Sequence, residues 1–270
     1  MSFELGPALL FCPADRPDRY EKAAGRADAV ILDLEDAVGP SRKAAARDAM
    51  IAHPLDPATT IVRVNAFDSP YFADDLMALG QTGYHTVMVA KAEHPEQLSG
   101  LDRHRIIALC ESARGVLAAP ALAAAKNVIA LMWGAEDLVA SLGGSSTRFA
   151  GGSYRHVAQH ARSSVLIAAA ASGKAAIDTI HLDIADLDGL AAEAQDAAAI
   201  GFAATACIHP EQVAVIREAY RPTEQQLAWA RELLDAAAGE RGVFRFHGQM
   251  VDGPVLRHAE QVVKSAGAGD

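Results

Sequence analysis

A chain of 270 residues and 28.3 kDa suits one large domain with a terminal appendage, on the scale of a barrel or a doubly wound sheet. With 51% hydrophobic residues, 21% charged residues and a mean hydropathy of +0.09, it has the material for a sizeable core and too little charge for a disordered chain. Its 24 Lys and Arg against 34 Asp and Glu give a net charge of −10 and a pI near 5.4. That balance speaks against nucleic acid or an anionic membrane surface as the main partner, since both require a basic face.

The N-terminal MSFELGPALLFCPADRP has no basic leader region, and Pro13 and Asp15 break its apolar run, so it does not read as a signal peptide. No apolar run reaches the roughly 18 to 20 residues that span a bilayer. Cys12, Cys110 and Cys207 lie far apart, each in an apolar run, and read as reduced core thiols of a cytoplasmic protein.

Eight apolar runs follow one another, each succeeded by an alanine-rich amphipathic stretch: ALLFCPA (8–14), AVILDLE (29–35), TIVRVNA (60–66), TVMVAKA (86–92), RIIALCES (105–112), NVIALMWG (127–134), AIDTIHLD (176–183) and ATACIHP (204–210). Nearly continuous apolar runs fit strands buried on both faces of a parallel sheet, with the intervening helices as crossovers. Eight such units predict an α/β chain folded as a (β/α)8 TIM barrel, with an open doubly wound sheet as the alternative. Residues 1–220 would form the barrel. Residues 221–270 would form a C-terminal extension: a helix introduced by Pro222 and Thr223 with Leu227, Ala230, Leu233 and Leu234 as its apolar stripe, then a short strand or hairpin, a Gly-Pro break and a last helix.

Active sites of such barrels sit where the strands end. Run two ends in Asp33, Glu35 and Asp36, run three carries Arg63 and Asn65, run four ends at Lys91 and Glu93, run five at Glu111, and run six leads through WGAEDL to Glu136 and Asp137. Glu111 and Asp137 offer hard oxygen ligands of the kind Mg2+ prefers, or alternatively ion pairs to Arg63 or Arg114. Arg63 is placed either to grip a substrate carboxylate or to pair with Asp33 or Glu35. Arg19, Lys22 and Arg26 are spaced along one face of a predicted helix. With Arg16, Arg42 and Lys43 they make either a solvated surface or a local phosphate site. The GGSS segment at 143–146 matches neither a P-loop nor a dinucleotide fingerprint and is expected to be a mobile loop. His209, His181 and Asp183 read first as hydrogen-bonded structural residues.

Taken in order, LLFCPADRPDRYEKA, AVILDLEDAVGPSRKAAAR, IVRVNA, VMVAKAE, IALCESARGV, MWGAEDLVASLGG, CIHPEQV and GQMVDGPVLRHA resemble the citrate lyase beta-subunit-like proteins. These belong to the wider group that holds the malyl-CoA and citramalyl-CoA lyases, and the likeness is nearest to short stand-alone actinobacterial forms. The resemblance implies a Mg2+-dependent carbon–carbon lyase that cleaves a 3-hydroxyacyl-CoA of malyl, citramalyl or 3-hydroxy-3-methylglutaryl type to acetyl-CoA and a keto acid. It makes Glu111 and Asp137 the metal ligands, and Arg63, Glu111, Gly134 and Ala135 the substrate contacts. Glu35 and Asp36 would lie near the metal's water shell and the thioester. Asp252 would be an acid-base group delivered into a neighbouring subunit of a homotrimer. Arg16, Arg19, Arg42 and Lys43 become contacts for coenzyme A phosphates. The alternatives are a citryl-thioester lyase subunit of a citrate lyase complex and a non-catalytic CoA-binding homologue.

Overall fold

A computed structural model describes residues 3–240 and 242–267. β1 (Ala8–Pro13) and a 3-10 turn at Pro17–Arg19 lead into α1 (Tyr20–Ala24), and β2 (Ala29–Asp33) and a second 3-10 turn at Pro40–Arg42 lead into α2 (Lys43–Ala52). The alternation continues through β3 (Thr60–Val64), α3 (Phe72–Leu79), β4 (Thr86–Val89), α4 (Glu96–Ser99), β5 (Arg105–Cys110) and α5 (Ala113–Ala124). It is completed by β6 (Val128–Trp133), α6 (Ala135–Ser141), α7 (His156–Ala171), β7 (Ala175–Asp178), α8 (Leu187–Ile200), β8 (Ala204–Cys207) and α9 (Pro210–Tyr220). All neighbouring strands pair in parallel, and β1 pairs with β8 as well as β2, with Leu9 opposite both Ala206 and Ala29. That last pairing closes the ring and excludes the open sheet.

Side chains alternate across each strand, so every second residue faces the barrel interior. The interior is filled by Leu9, Ala29, Ile31, Ile61, Met88, Ile107, Leu109, Ala130, Met132, Ile177, Ala204 and Ala206. Continuing each series by one step of two brings up Asp33 after Ile31, Arg63 after Ile61, Glu111 after Leu109 and Gly134 after Met132. The period that packs the core therefore also delivers charged groups to the layer above it. The intervening set faces the helices and includes the three buried cysteines. Burial pushes the Cys12 thiol up to about 11 and the Cys110 thiol up to about 12, which suits inert core positions.

Two local expectations need correction. β7 ends at Asp178, so His181 and Asp183 lie in the following loop. α1 is only five residues long and is capped by Gly25, so Arg19 precedes it, Arg26 follows it, and the three basic residues share no helix face.

The chain divides into two compact units between Ile216 and Arg217, within α9. The second holds α10 (Glu224–Ala237), an antiparallel hairpin of β9 (Phe244–Phe246) and β10 (Gln249–Val251), and α11 (Gly253–Gly267). Thr223 caps α10 in a reciprocal box: its Oγ1 accepts from Gln226 N at 3.2 Å while Gln226 Oε1 accepts from Thr223 N at 2.8 Å, an arrangement that stabilises a helix start by about 1 kcal/mol. His247 and Gly248 both have positive φ (45° and 84°), as a tight two-residue hairpin demands. Ala230, Leu233, Val251, Ala259 and Val262 form the unit's own core. Among the described residues, no helix is long and apolar enough to cross a membrane.

Candidate active site

Adjacent registers set the first pair, because Asp33 of β2 lies opposite Arg63 of β3. Arg63 Nε donates to Asp33 Oδ1 and Nη2 to Oδ2, both at 2.7 Å, while Nη1 stands 3.3 Å from Glu35 Oε2. The same Asp33 oxygens accept from the backbone N–H of Glu35 (2.8 Å) and Ala37 (3.0 Å). One buried carboxylate thus orients the guanidinium and shapes the turn that carries Glu35 and Asp36. Complete burial by itself would raise the Asp33 pKa, but Arg63 and the two amides hold it below the usual carboxylate range. The ion-pair reading of Arg63 is therefore realised on both sides, with Asp33 on its Nε–Nη2 side and Glu35 beside Nη1.

Glu111 directly follows β5 and is 3% exposed. Its Oε1 accepts from the backbone N–H of Lys91 at 3.0 Å, and its carboxylate lies against Gly134. A Cβ at residue 134 would stand 2.8 Å from Glu111 Cβ and 2.9 Å from Oε2, so only glycine leaves this space. Burial, reinforced by the nearby Asp137 charge and opposed by Arg63 and Lys91, pushes the Glu111 carboxyl up to about 8. Glu35 is raised for the same first reason, burial, against the pull of Arg63 and Lys91. Asp137 sits in the first turn of α6, half-exposed, next to this pair. Lys91 projects its ammonium among all of them: Nζ is 2.5 Å from Glu35 Oε1, 3.5 Å from Asp36 Oδ2, 3.5 Å from Asp137 Oδ1 and 3.8 Å from Glu111 Oε1.

This donor set fits a hard divalent ion. With all five ionised, Asp33, Glu35, Asp36, Glu111 and Asp137 outnumber the cations that pair with them, Arg63 and Lys91. A carboxyl driven to about 8 by burial is one that a nearby cation would return to its ionised form. Among the described residues no three His, Cys, Asp or Glu side chains form a ligating cluster. Mg2+ keeps several waters and is commonly held by one or two carboxylates, which Glu111 and Asp137 supply.

The other predicted residues fall in three places. Ala135 N donates to Thr179 Oγ1 at 3.4 Å, at the start of α6 beside Gly134. Arg16, Arg19 and Arg42 are exposed in the loops after β1 and β2, with Arg16 paired to Asp18 at 3.0 Å and Arg42 to Asp15 at 3.3 Å. Lys43 does not join them. It is 6% exposed and its Nζ donates to Leu34 O (2.7 Å), Glu35 O (2.7 Å) and Asn65 Oδ1 (2.8 Å). All three ammonium protons are spent inside the protein, so Lys43 props up the Glu35 turn and is not a phosphate contact. Asp252 is half-buried between β10 and α11, and its carbonyl accepts from Leu256 N at 3.1 Å.

The Gly-Gly-Ser-Ser segment leads into a pinned loop and not a free one. Thr147 Oγ1 donates to Glu136 Oε1 at 2.8 Å, and Arg148 forks onto Glu193 of α8 and stacks 3.8 Å from the Tyr154 ring, which meets Trp133 edge-on. His181 Nδ1 is 2.8 Å from the same Glu193, so His181 is part of this brace, and His209 is half-buried beside Gln212. Lys91 is the strand-end residue to which the sequence assigns no role: a lysine two residues past a strand carries no signal of which carboxylates it will meet.

Comparison with known proteins decides the family. Residues 8–210 match the model of HpcH/HpaI aldolase/citrate lyase. The chain belongs to that family. A citrate lyase subunit beta-like protein of Mycobacterium tuberculosis is 56% identical over 262 residues, covering 97% of this chain and 96% of the relative. The human mitochondrial citramalyl-CoA lyase is 29% identical over 96% of this chain and 85% of its own. The crystal structure of M. tuberculosis CitE in complex with magnesium, acetoacetate and coenzyme A superposes with a TM-score of 0.94 at 56% identity, covering 97% of this chain and 98% of that one.

Proposed function

We propose that this member of the HpcH/HpaI aldolase/citrate lyase family is a Mg2+-dependent carbon–carbon lyase. It cleaves a 3-hydroxyacyl-CoA of malyl, citramalyl or 3-hydroxy-3-methylglutaryl type to acetyl-CoA and a keto acid, and works in the cytoplasm. One observation carries the reading: a relative 56% identical along the whole chain has been solved with magnesium, acetoacetate and coenzyme A, a metal, a keto acid and the thioester carrier together. Acetoacetate and acetyl-CoA are the two halves of 3-hydroxy-3-methylglutaryl-CoA by atom balance.

Cleavage between the α and β carbons requires an anchored acid group, a deprotonated hydroxyl and a proton for the acetyl carbon. Magnesium held by Glu111 and Asp137 supplies charge stabilisation at the oxygen that becomes the keto group. Arg63 pairs with the carboxylate and fixes the donor carbon in place. Gly134 and Ala135 border the same pocket, while Glu35 and Asp36 face the thioester side. Asp252, delivered by a neighbouring copy in a homotrimer, exchanges the proton at the acetyl methyl carbon, as acid in cleavage and base in condensation. Arg16, Arg19 and Arg42 receive the coenzyme phosphates.

The test incubates purified protein and Mg2+ with a panel of hydroxyacyl-CoAs and follows acetyl-CoA and keto-acid release. Activity is expected to vanish with EDTA and in Glu111→Ala or Asp137→Ala; unchanged cleavage in either variant refutes the metal assignment. A second reading, the thioester lyase subunit of a citrate lyase complex, is favoured by 32% identity to the Escherichia coli citrate lyase subunit beta over 89% of this chain. Turnover of citryl groups on an acyl carrier, and none on coenzyme A, would select it.

A further inference from the structure

Lys91 holds an unusual backbone. In β4 Met88 faces the interior, so the period of two would send residue 91 outward toward the helices. Instead Lys91 has φ +48°, a left-handed conformation that costs a residue with a Cβ about 1 kcal/mol or more. Two contacts accompany it: the Lys91 N–H reaches Glu111 Oε1 at 3.0 Å, and the side chain turns into the barrel mouth, 34% exposed. There one ammonium stands within 4 Å of four carboxylates, Glu35, Asp36, Glu111 and Asp137. An ion held by both Glu111 and Asp137 must approach oxygens of each to roughly 2.0–2.1 Å, and Nζ already occupies the neighbourhood of both. A dication and an ammonium repel at such separations, so the charge of Lys91 opposes metal binding there.

We propose that Lys91, anchored on Glu35 and Asp36, is a built-in counter-charge to Glu111 and Asp137 that lowers the affinity of the site for a divalent cation. The proposal rests on the assignment of Glu111 and Asp137 as metal ligands made above. It adds two properties. The carboxylates have a cationic neighbour whether or not a metal is bound, and a monovalent ion, which gains half the attraction of a divalent one at the same oxygens, is disfavoured. Glu35 and the exposed Asp36 hold the ammonium in place, at 2.5 and 3.5 Å.

Isothermal titration with Mg2+ alone, without substrate, tests this on wild type, Lys91→Gln and Lys91→Arg. A single and a double charge about 5 Å apart repel enough, even at the dielectric of bulk water, to shift a dissociation constant about tenfold. Lys91→Gln is therefore expected to bind Mg2+ about tenfold tighter and to melt lower than wild type when metal-free, with the deficit removed by saturating Mg2+. Lys91→Arg keeps wild-type affinity within a few-fold. Equal or weaker Mg2+ binding by Lys91→Gln overturns the proposal. Failure of the wild-type protein to bind Mg2+ overturns the metal assignment itself.

Discussion

Asp33→Asn is the sharpest perturbation that the site offers. The two side chains have nearly the same shape, yet each Asp33 oxygen accepts two hydrogen bonds: Oδ1 from Arg63 Nε and Glu35 N, Oδ2 from Arg63 Nη2 and Ala37 N. Whichever way the asparagine amide is turned, its NH2 meets two donors and loses both bonds, one of them charge-assisted. A buried bond to a charged partner contributes about 1.5–3 kcal/mol and a neutral one about 1 kcal/mol, and breaking a buried ion pair typically costs 3–5 kcal/mol. We therefore expect a loss of about 4 kcal/mol, or roughly 10 °C in Tm, with the urea m-value unchanged. The pH dependence gives a second check. Arg63 and the two amides hold the folded-state pKa of Asp33 below its ordinary value in spite of burial, so the folded protein binds fewer protons there than the unfolded chain. That stabilisation is fully present above the unfolded carboxylate value of about 3.9 and disappears as pH falls through the depressed folded value. The gap between wild type and variant should accordingly be constant near neutrality and narrow in strong acid. A variant within 1 kcal/mol of wild type at pH 7, or a gap that widens in acid, would refute the reasoning.

Other outcomes follow from the same geometry. Gly134→Ala places a methyl 2.9 Å from Glu111 Oε2; overpacking of this kind costs about 1–3 kcal/mol, and Mg2+ affinity by titration should fall together with kcat. Lys43→Met strips two carbonyls and Asn65 of their shared donor and should cost about 2–4 kcal/mol in chemical denaturation. Arg42→Ala should leave stability within about 0.5 kcal/mol and raise KM for the thioester; the opposite ranking of the two would reverse our assignment of these neighbours. Arg63→Ala and Asp252→Ala, each inactive alone, should recover part of the activity when coassembled in one oligomer, and verified mixed oligomers without activity would remove the trans role of Asp252.

The barrel was legible because strands buried on both faces leave uninterrupted apolar runs, and because the charged residues that break those runs stand where the strands end. The same period explains why Arg63 and Glu111 could be singled out: each continues an inward-facing series by one step. What one dimension hides is what happens after a strand ends. Lys43 follows Arg42 in a polar loop and resembles it in sequence, yet the turn that begins α2 carries one outward to solvent and folds the other beneath the carbonyls of Leu34 and Glu35. Lys91 is legible as a charge at a strand end, but its contacts are not, since strand parity points it away from the site and only its left-handed backbone reverses it. Asp33 appeared as one of three acids on a strand end, and nothing in the spacing says that it, and not Glu35, takes the main grip on Arg63. The loop after α6 looked free because glycine and serine dominate its start, whereas Arg148, which pins it while stacking on Tyr154, finds its partner Glu193 45 residues on.

That brace gives the barrel mouth a front and a back. With Thr147 fastened to Glu136, and Arg148 and His181 to Glu193, the rim above β6 and β7 is a wall. The rim above β1 and β2 carries short 3-10 turns with exposed arginines. The proposed coenzyme contacts of Arg16, Arg19 and Arg42 all fall on that second rim, away from the brace. On that proposal a reporter dye attached beside the brace is expected to be tolerated, and one attached beside the arginines to interfere with binding.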